Sequence, residues 1–417
     1  MKPKQHEADQ TTERYLNIER SRAPRSRTCH MALVVLCAAL TVGLGLGLCF
    51  SEHEVFSPEE NRYLTTAPIW GLDALLDGSM TRSLSDFCAD QFPFRSHFIT
   101  IKARSEQLLG KQQNNDVLLG SDGYLIACQE YTEEHREDLS QNLSAVRLFS
   151  ERMEQSGIPF TFAVVPRSID VNVSRLPALY DTANTNAVWE WLSEGCEQNS
   201  LSAHTLTEPL RAAAEQHTAV WYKTDHHWTA LGAYYAYEAL GKTLGYEPYP
   251  LSDFERITIC ENFYGTTHAS SGMHWIEGEP LTLMRYEGDD RFITEIIGTK
   301  ETITLQGLYD VSALSTHDEY NVFLGGTNAH IRVTDPTRSD LATLVLLKDS
   351  FSQSLAPYLA RHFQLVLIDP RTFMASPDGS LFATVCSYEP DRVLLLCGIA
   401  TLCEPSSQRN LIIGLDR

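Results

Sequence analysis

Two stretches of this 417-residue chain concentrate groups able to do chemistry. In Tyr222-Lys-Thr-Asp225-His226-His227-Trp228 a carboxylate and two imidazoles are adjacent, and in Leu344-Val-Leu-Leu-Lys348-Asp349-Ser350-Phe351 a hydroxyl follows an apolar run. A serine hydroxyl is a poor nucleophile near neutral pH until an imidazole accepts its proton, and that imidazole works best when a carboxylate fixes its tautomer. Asp225, His227 and Ser350 supply one group of each kind. Side chains two apart on an extended backbone share a face, so Asp225 and His227 can both turn toward Ser350 if the stretch is strand-like, with His226 facing away. A plainer reading stands beside this one, since strand-end Asp-Ser pairs are common and paired histidines are often structural. A metal reading would combine Asp225, His226 and His227 with His268 or His274, since imidazole and carboxylate suit zinc. Adjacent histidines on a strand diverge, however, and no His-x-x-x-His or Cys-x-x-Cys spacing supports them, so neither a metal nor a cofactor is expected.

Such groups need elements to hold them. The first stretch reads as the junction between a strand at Thr218–Tyr222 and a helix at Thr229–Leu244 with Thr229 as its cap. The second reads as a strand, a nucleophile and a helical run through Leu355 to Arg361. Open α/β sheets present ligands at the carboxyl ends of their strands, and backbone N–H groups at a helix mouth can stabilise an oxyanion. Further apolar runs at Phe160–Pro166, Asn321–Gly325, Leu365–Asp369 and Arg392–Cys397, with a helix at Leu139–Gln155, predict an α/β sandwich with a parallel sheet covered on both faces. Gly326 and Asn328, in a glycine-rich stretch after the Asn321–Gly325 run, could supply oxyanion donors, or equally a turn and its cap. Arg167 could reach a substrate from another strand end, although a solvated loop arginine is the commoner outcome. Upstream, a helix is expected from about Arg95 to Leu109 and a hairpin over Asn115–Ile126, with Gly120-Ser-Asp-Gly123 as its turn. Residues 255–319 alternate in β fashion and read as a β-rich antiparallel insertion.

Composition bounds the class. There are 54 acidic and 33 basic residues, for a net charge of −21, which excludes a generic nucleic-acid binder. Hydrophobic residues make up 43% and charged residues 21%, a globular balance. The charge is uneven. Residues 1–30 hold seven Lys/Arg against four acids, and the sign changes at Met31–Phe50, twenty residues without a charge. A bilayer core needs roughly 20 apolar residues to be crossed by a helix. With Arg20, Arg22, Arg25 and Arg27 on one flank and Glu52 and Glu54 on the other, the positive-inside rule places the N-terminus in the cytoplasm. The expected organisation is a cytoplasmic basic tail (1–30), a transmembrane signal anchor (31–50), a stalk and docking segment (51–110) and an extracellular α/β domain (111–417). A cleaved signal peptide is the competing reading of the apolar run. Of ten cysteines, seven fall after the anchor, an odd number without metal-ligand spacing; Cys397 reads as core.

Asp225-His226-His227-Trp228, followed by Ala230-Leu-Gly-Ala-Tyr, resembles the DHHW protein family of Gram-positive bacteria. Glu60-Asn61-Arg62, Phe92-Pro93-Phe94-Arg95, Gly120-Ser-Asp-Gly123-Tyr124, Phe263-Tyr264-Gly265-Thr266, Val322-Phe-Leu-Gly325-Gly326, Lys348-Asp349-Ser350 and Asp369-Pro370-Arg371 extend the resemblance over almost the whole region after the anchor. That family is similar to extracytoplasmic SGNH-like proteins that O-acetylate alginate, in which an Asp-x-His-Trp motif and a later Ser form a triad. The resemblance implies an SGNH-hydrolase-like three-layer sandwich with Asp225 as orienter, His227 as base and Ser350 as nucleophile. Lys348 departs from the Gly that ordinary SGNH hydrolases place before Asp-Ser. The expected function is O-acetyl transfer to, or de-acetylation of, a cell-surface polysaccharide. A membrane acyl-transfer partner is possible, and a non-catalytic glycan-binding or scaffold role is the alternative.

Overall fold

The computed structural model describes residues 4–415 except 69, 217–219 and 375–378, with residues 4–26 as backbone only. The chain forms two compact units, one of residues 1–57 and 62–99 and one of residues 58–61 and 100–417.

In the first unit, one helix runs from Lys4 to Phe50, and its segment Arg27–Phe50, of mean hydropathy 2.5, is long and apolar enough to cross a membrane. A helix at Ser79–Asp90 ends on a carboxylate that accepts from the Arg62 guanidinium at 2.5 and 3.0 Å and from both the N–H and hydroxyl of Thr65 at 2.8 Å. The Arg62 contact holds Asp90 well below the usual carboxylate range despite partial burial.

The second unit is built on an eight-stranded sheet. In chain order its strands are β1 (Phe160–Val165), β2 (Ala203–Thr205), β3 (Ile293–Ile297), β4 (Thr302–Gln306), β5 (His330–Thr334), β6 (Thr343–Lys348), β7 (Gln364–Ile368) and β8 (Arg392–Gly398). Their spatial order is β4-β3-β5-β7-β6-β8-β1-β2. The pairs from β7 through β2 are parallel, and β5, β3 and β4 extend the sheet antiparallel. The central strands are apolar on both faces because both are covered. Leu344 and Leu346 point into a core shared with α3 (Thr207–Gln216), α4 (Ala230–Leu244) and α5 (Ser352–Leu359). Val345 and Leu347 point into a second core shared with α1 (Glu133–Gln155), α2 (Ala183–Gln198), α6 (Leu381–Ser387) and α7 (Ile399–Leu402). The result is the mixed α/β three-layer architecture with a mainly parallel sheet. Cys397 on β8 is 1% exposed and lies in the second core, and no disulfide forms among the described residues.

Several expectations from sequence need correction. Of the strand expected at Thr218–Tyr222, residues 218 and 219 lie outside the described residues. Val220–Tyr222 form no sheet strand but one side of a tight loop, closed by a Trp221–Trp228 bridge and by Thr229 N–H donating to Val220 O at 3.0 Å. The run Asn321–Gly325 is likewise no strand: Glu319–Val322 is a 3₁₀ turn, and Leu324, Gly325 and Gly326 all have positive φ. Both runs are apolar because they are buried, not because they are extended. The hairpin forms as Val117–Leu119 and Leu125–Ala127, joined by a third short strand at Gln113–Asn114, and the helix near residue 95 runs Arg95–Leu108. Within 255–319, β3 and β4 join the main sheet, whereas Glu255–Phe263 and Glu279–Arg285 form a separate antiparallel ribbon.

Candidate active site

The carboxyl ends of the central strands carry the reactive groups. After β6, Ser350 stands at the entrance to α5, and Gly398, the last residue of β8, caps α7. Asp349 ties the two strand ends together. Its Oδ2 accepts from Gly398 N–H at 2.6 Å and from the Thr401 hydroxyl at 2.9 Å, and its Oδ1 accepts from Phe351 N–H at 3.1 Å. Asp349 is 1% exposed, so Asp349→Ala would strand three buried donors. We expect a loss of about 3 kcal/mol or more of stability and a matching fall in the urea midpoint; a wild-type midpoint would remove Asp349 from this role. Lys348 is also buried, its Nζ has no partner among the described residues, and burial pulls its pKa down against the opposing pull of Asp369 and Asp349.

The loop 220–229 delivers the histidines. Trp228, fully buried, donates its indole N–H to Phe351 O at 3.1 Å and to Ser354 Oγ at 2.9 Å, pinning the loop onto the first turn of α5. On the far side Thr229 caps α4, its Oγ1 accepting from Gly232 N–H at 3.2 Å. His227 Nε2 lies 2.7 Å from Ser350 Oγ, and His227 Nδ1 lies 2.6 Å from Asp225 Oδ1. The pairing is reached differently from a strand's alternating side chains. Asp225 accepts the N–H of His227 at 3.0 Å in a turn, so it stands behind the imidazole rather than beside it. His226 does not face away: its ring lies 3.8 Å from that of His227 and its side chain remains 44% exposed.

The second oxygen of Asp225 is held by Thr266, whose N–H donates at 2.8 Å and whose hydroxyl donates at 3.1 Å. That hydroxyl has one proton to give, so it accepts from His226 Nδ1 at 2.6 Å. Gly265 permits the approach, since a Cβ there would overlap Asp225. Burial pushes the Asp225 carboxyl upward, but His226, His227 and the Thr266 N–H overcome it and hold the group ionised, well below the usual carboxylate range. Glu279 anchors the preceding residue by accepting from Thr224 N–H at 2.7 Å and from its hydroxyl at 2.8 Å.

Sequence reasoning missed Tyr320. Its ring stacks on His227 with centroids 4.3 Å apart and planes 6° apart, and its hydroxyl lies 3.0 Å from Ser354 Oγ. His227 is thus packed between Tyr320 and His226, with Phe351 edge-on at 5.1 Å. No motif spacing links residue 320 to residue 227; only the fold does.

Gly326 and Asn328 lie in a turn linked to α5 by Gln353 Nε2 donating to Thr327 Oγ1 at 3.0 Å. Their donors are engaged there: Gly326 N–H goes to Phe323 O, and the Asn328 amide goes to Gly325 O and Gly326 O. The N–H of Ser350 itself has no partner among the described residues. Arg167 is no solvated loop arginine. It forks onto Asp170 at 2.8 and 2.9 Å and lines a small cavity with His226 and Phe351. Asp225, His226 and His227 lie close enough together to hold a metal ion. Both carboxylate oxygens, His226 Nδ1 and each nitrogen of His227 are engaged in hydrogen bonds. His268 and His274 instead form a pair with rings 5.4 Å apart.

Buried histidines set a pH limit on the fold. Burial pushes His268 and His362 each down to about 4, against about 6.5 when unfolded. Between those values the unfolded chain takes up protons that the folded chain does not. Their stabilising contribution is therefore complete above pH 6.5 and is lost as pH falls toward 4. Tm should drop between about pH 7 and pH 5, and replacing both residues with Asn should flatten that slope; an unchanged slope in the double variant would contradict this.

Residues 196–368 match the family described as DHHW protein, and residues 117–263 match the SGNH hydrolase-like domain of acetyltransferase AlgX. Among curated proteins, the probable alginate O-acetylase AlgJ of Pseudomonas fluorescens is 24% identical over 172 residues, which is 41% of this chain and 44% of that one. AlgJ of Pseudomonas putida is 23% identical over the same length. The match therefore spans less than half the length of these relatives. A DHHW family protein from Eubacterium siraeum shares the fold with a TM-score of 0.56 and 20% identity, covering 72% of this chain and 96% of that one. Bacillus cereus PatB1, solved with a sulfonyl adduct, does so with a TM-score of 0.54 and 19% identity, covering 69% and 97%. The segment that carries Asp225, His227 and Ser350 is thus a DHHW-family segment, and through it the protein is similar to the SGNH-like alginate O-acetyltransferase proteins.

Proposed function

We propose that the protein is a membrane-anchored SGNH-like O-acetyltransferase or acetylesterase of the outer cell surface, acting on a polysaccharide through Ser350, His227 and Asp225. The observation that carries this reading is the continuous chain from Asp225 Oδ1 through His227 to Ser350 Oγ, with links of 2.6 and 2.7 Å. Ser350 Oγ attacks the carbonyl carbon of an acyl ester while its proton passes to His227 Nε2. The resulting imidazolium is stabilised by Asp225 and by the face of Tyr320. In this reading the Ser350 N–H, which has no partner among the described residues, serves as an oxyanion donor. Collapse of the tetrahedral species expels the donor alkoxide, which takes the proton from His227, and leaves acyl-Ser350. An acceptor hydroxyl, or water, then attacks the acyl carbon and gives its proton to His227, which returns it to Ser350 Oγ as the acyl–Oγ bond breaks and the acetylated acceptor, or acetate, leaves.

The helix at Arg27–Phe50 serves as the anchor in this reading, with the basic tail in the cytoplasm. The alginate acetylation named for the AlgJ relatives supports a polysaccharide acceptor. Whether sugar or water resolves the acyl-enzyme is read from the products. Full-length protein with p-nitrophenyl acetate and a neutral oligosaccharide should release p-nitrophenol in step with sugar acetate ester. Release matched by free acetate alone would assign an esterase, and no release above the rate of buffer would overturn the reading.

A further inference from the structure

His226 takes no part in the relay from Asp225 to Ser350. Its ring lies 3.8 Å from that of His227 at an angle of 38°, and its side chain is 44% exposed whereas His227 is buried. Both rings turn the same edge toward Asp225. His227 Nδ1 meets Asp225 Oδ1 at 2.6 Å, and His226 Nδ1 meets the Thr266 hydroxyl at 2.6 Å, with Asp225 Oδ2 3.8 Å away. The two nitrogens of an imidazole point in nearly opposite directions, so both Nε2 atoms face away from the carboxylate. On His227 that atom meets Ser350 Oγ at 2.7 Å. On His226 it has no partner among the described residues, and the ring borders a small cavity with Phe351, the residue after Ser350.

The surrounding hydrogen bonds fix the tautomer of this second ring. The Thr266 hydroxyl gives its proton to Asp225 Oδ2 at 3.1 Å, because an ionised acceptor outcompetes a neutral one, and so it accepts from His226. The negative oxygen 3.8 Å from His226 Nδ1 favours a proton on that nitrogen as well. In the neutral ring Nε2 is then a bare acceptor. His226 Nδ1 bonds to a neutral hydroxyl and not to a carboxylate, so His226 lacks the direct counter-charge that makes His227 a base.

We propose that His226 reads the acceptor: its Nε2 accepts a hydrogen bond from the hydroxyl next to the one being acylated, so the site takes a vicinal diol of a sugar ring. The inference rests on the acyl-transfer reading and names the acceptor class for it. Vicinal hydroxyls stand side by side across one C–C bond, as the two Nε2 atoms do across the ring stack. In deacylation the attacking hydroxyl bonds to the acyl carbon and gives its proton to His227, which returns it to Ser350 Oγ as the acyl–Oγ bond breaks. The neighbouring hydroxyl keeps its proton. It only donates a hydrogen bond to His226, and that contact holds the attacking oxygen over the acyl carbon. An isolated hydroxyl, or water, lacks it.

Full-length protein is given p-nitrophenyl acetate with methyl β-D-xylopyranoside, whose ring hydroxyls are all vicinal, or with the same glycoside methylated at its middle hydroxyl. Methylation leaves the remaining hydroxyls without a hydroxyl neighbour. Acetate ester formed per free hydroxyl should be about three- to tenfold higher with the unmethylated sugar, the usual size of one neutral hydrogen bond. His226→Phe keeps a ring against His227 but removes the acceptor, so the two sugars should become equal to within about twofold. Steric rejection of the methyl group would survive that change. Thermal unfolding checks that the variant is folded. A second measurement needs no turnover. In isotope-labelled wild-type protein at about pH 8, above the ordinary histidine range, proton–nitrogen correlation spectra should place the His226 proton on Nδ1. Equal transfer to both sugars by wild type, discrimination that persists in folded His226→Phe, or a proton on Nε2 would each overturn the proposal and leave Ser350 its role. Transfer to neither sugar while p-nitrophenol is released would also overturn it and assign an esterase. No release at all would overturn the acyl-transfer reading, and the acceptor role of His226 falls with it.

Discussion

Ser350→Ala should reduce p-nitrophenol release from p-nitrophenyl acetate by at least about 10³-fold in kcat, with the residual rate reflecting binding and oxyanion donors alone. The size follows from the geometry. Ser350 Oγ is the hydroxyl bonded to His227 Nε2, and no second one stands there to take over: the Ser354 hydroxyl is engaged by Trp228 and Tyr320, and the Thr266 hydroxyl sits on the opposite side of the histidine pair. His227→Ala should cost a comparable factor, and the double variant little more than either single one, because the two residues act as a unit. Additive losses would show that they work separately. Stability should be unchanged in Ser350→Ala to within about 0.5 kcal/mol, as expected of a partly exposed site with one hydrogen bond removed.

Asp225→Asn is the second large effect, expected at roughly 10³–10⁴-fold in kcat with KM nearly unaltered. The two oxygens of Asp225 face four donors: His227 N–H and Nδ1–H on one side, Thr266 N–H and hydroxyl on the other. An amide offers only one oxygen. If it faces Thr266, the NH₂ group donates to His227 Nδ1, the ring proton moves to Nε2, and the histidine can no longer accept from Ser350. If it faces His227, the NH₂ group meets the Thr266 N–H and the loop at Gly265 must shift. Asp225→Glu should also fail, since the extra methylene has no room beside Gly265. Because the wild-type carboxyl is held far below its usual range, Asp225 is ionised throughout about pH 4–9, and the acid limb of the wild-type activity profile does not report it. Activity of the Asp225→Asn enzyme within tenfold of wild type would show that His227 holds its tautomer without the carboxylate.

Much of the fold was readable because the sheet is buried on both faces, so β1, β6, β7 and β8 appear as unbroken apolar runs bounded by polar residues. The same signal misled at Val220–Tyr222 and at Asn321–Leu324. Burial makes both apolar, and neither has a strand partner beyond a single bridge. The strand β5, His330-Ile-Arg-Val-Thr334, was invisible for the opposite reason: it alternates toward the antiparallel edge and carries two charged or titratable groups in five residues. In the site, the three groups of the proposed relay, Asp225, His227 and Ser350, were visible in the sequence by their chemistry, and the structure brings them within hydrogen-bond distance of one another. Their support was not, since Thr266, Tyr320, Ser354 and Asp349 work through contacts that cross the chain. Trp228 is the exception in hindsight. A tryptophan next to paired histidines has an N–H that needs a partner when buried, and here its partners are Phe351 and Ser354, directly after Ser350.

The central claim is that Ser350 carries the acyl group. Full-length protein mixed with p-nitrophenyl acetate, quenched in acid during the initial burst and digested for peptide mass spectrometry, should yield an acetyl ester on the peptide containing Ser350. The ester should vanish in Ser350→Ala and accumulate slowly in Asp225→Asn. Acetylation confined to other residues, with Ser350 unmodified while p-nitrophenol is released at the wild-type rate, would contradict the account.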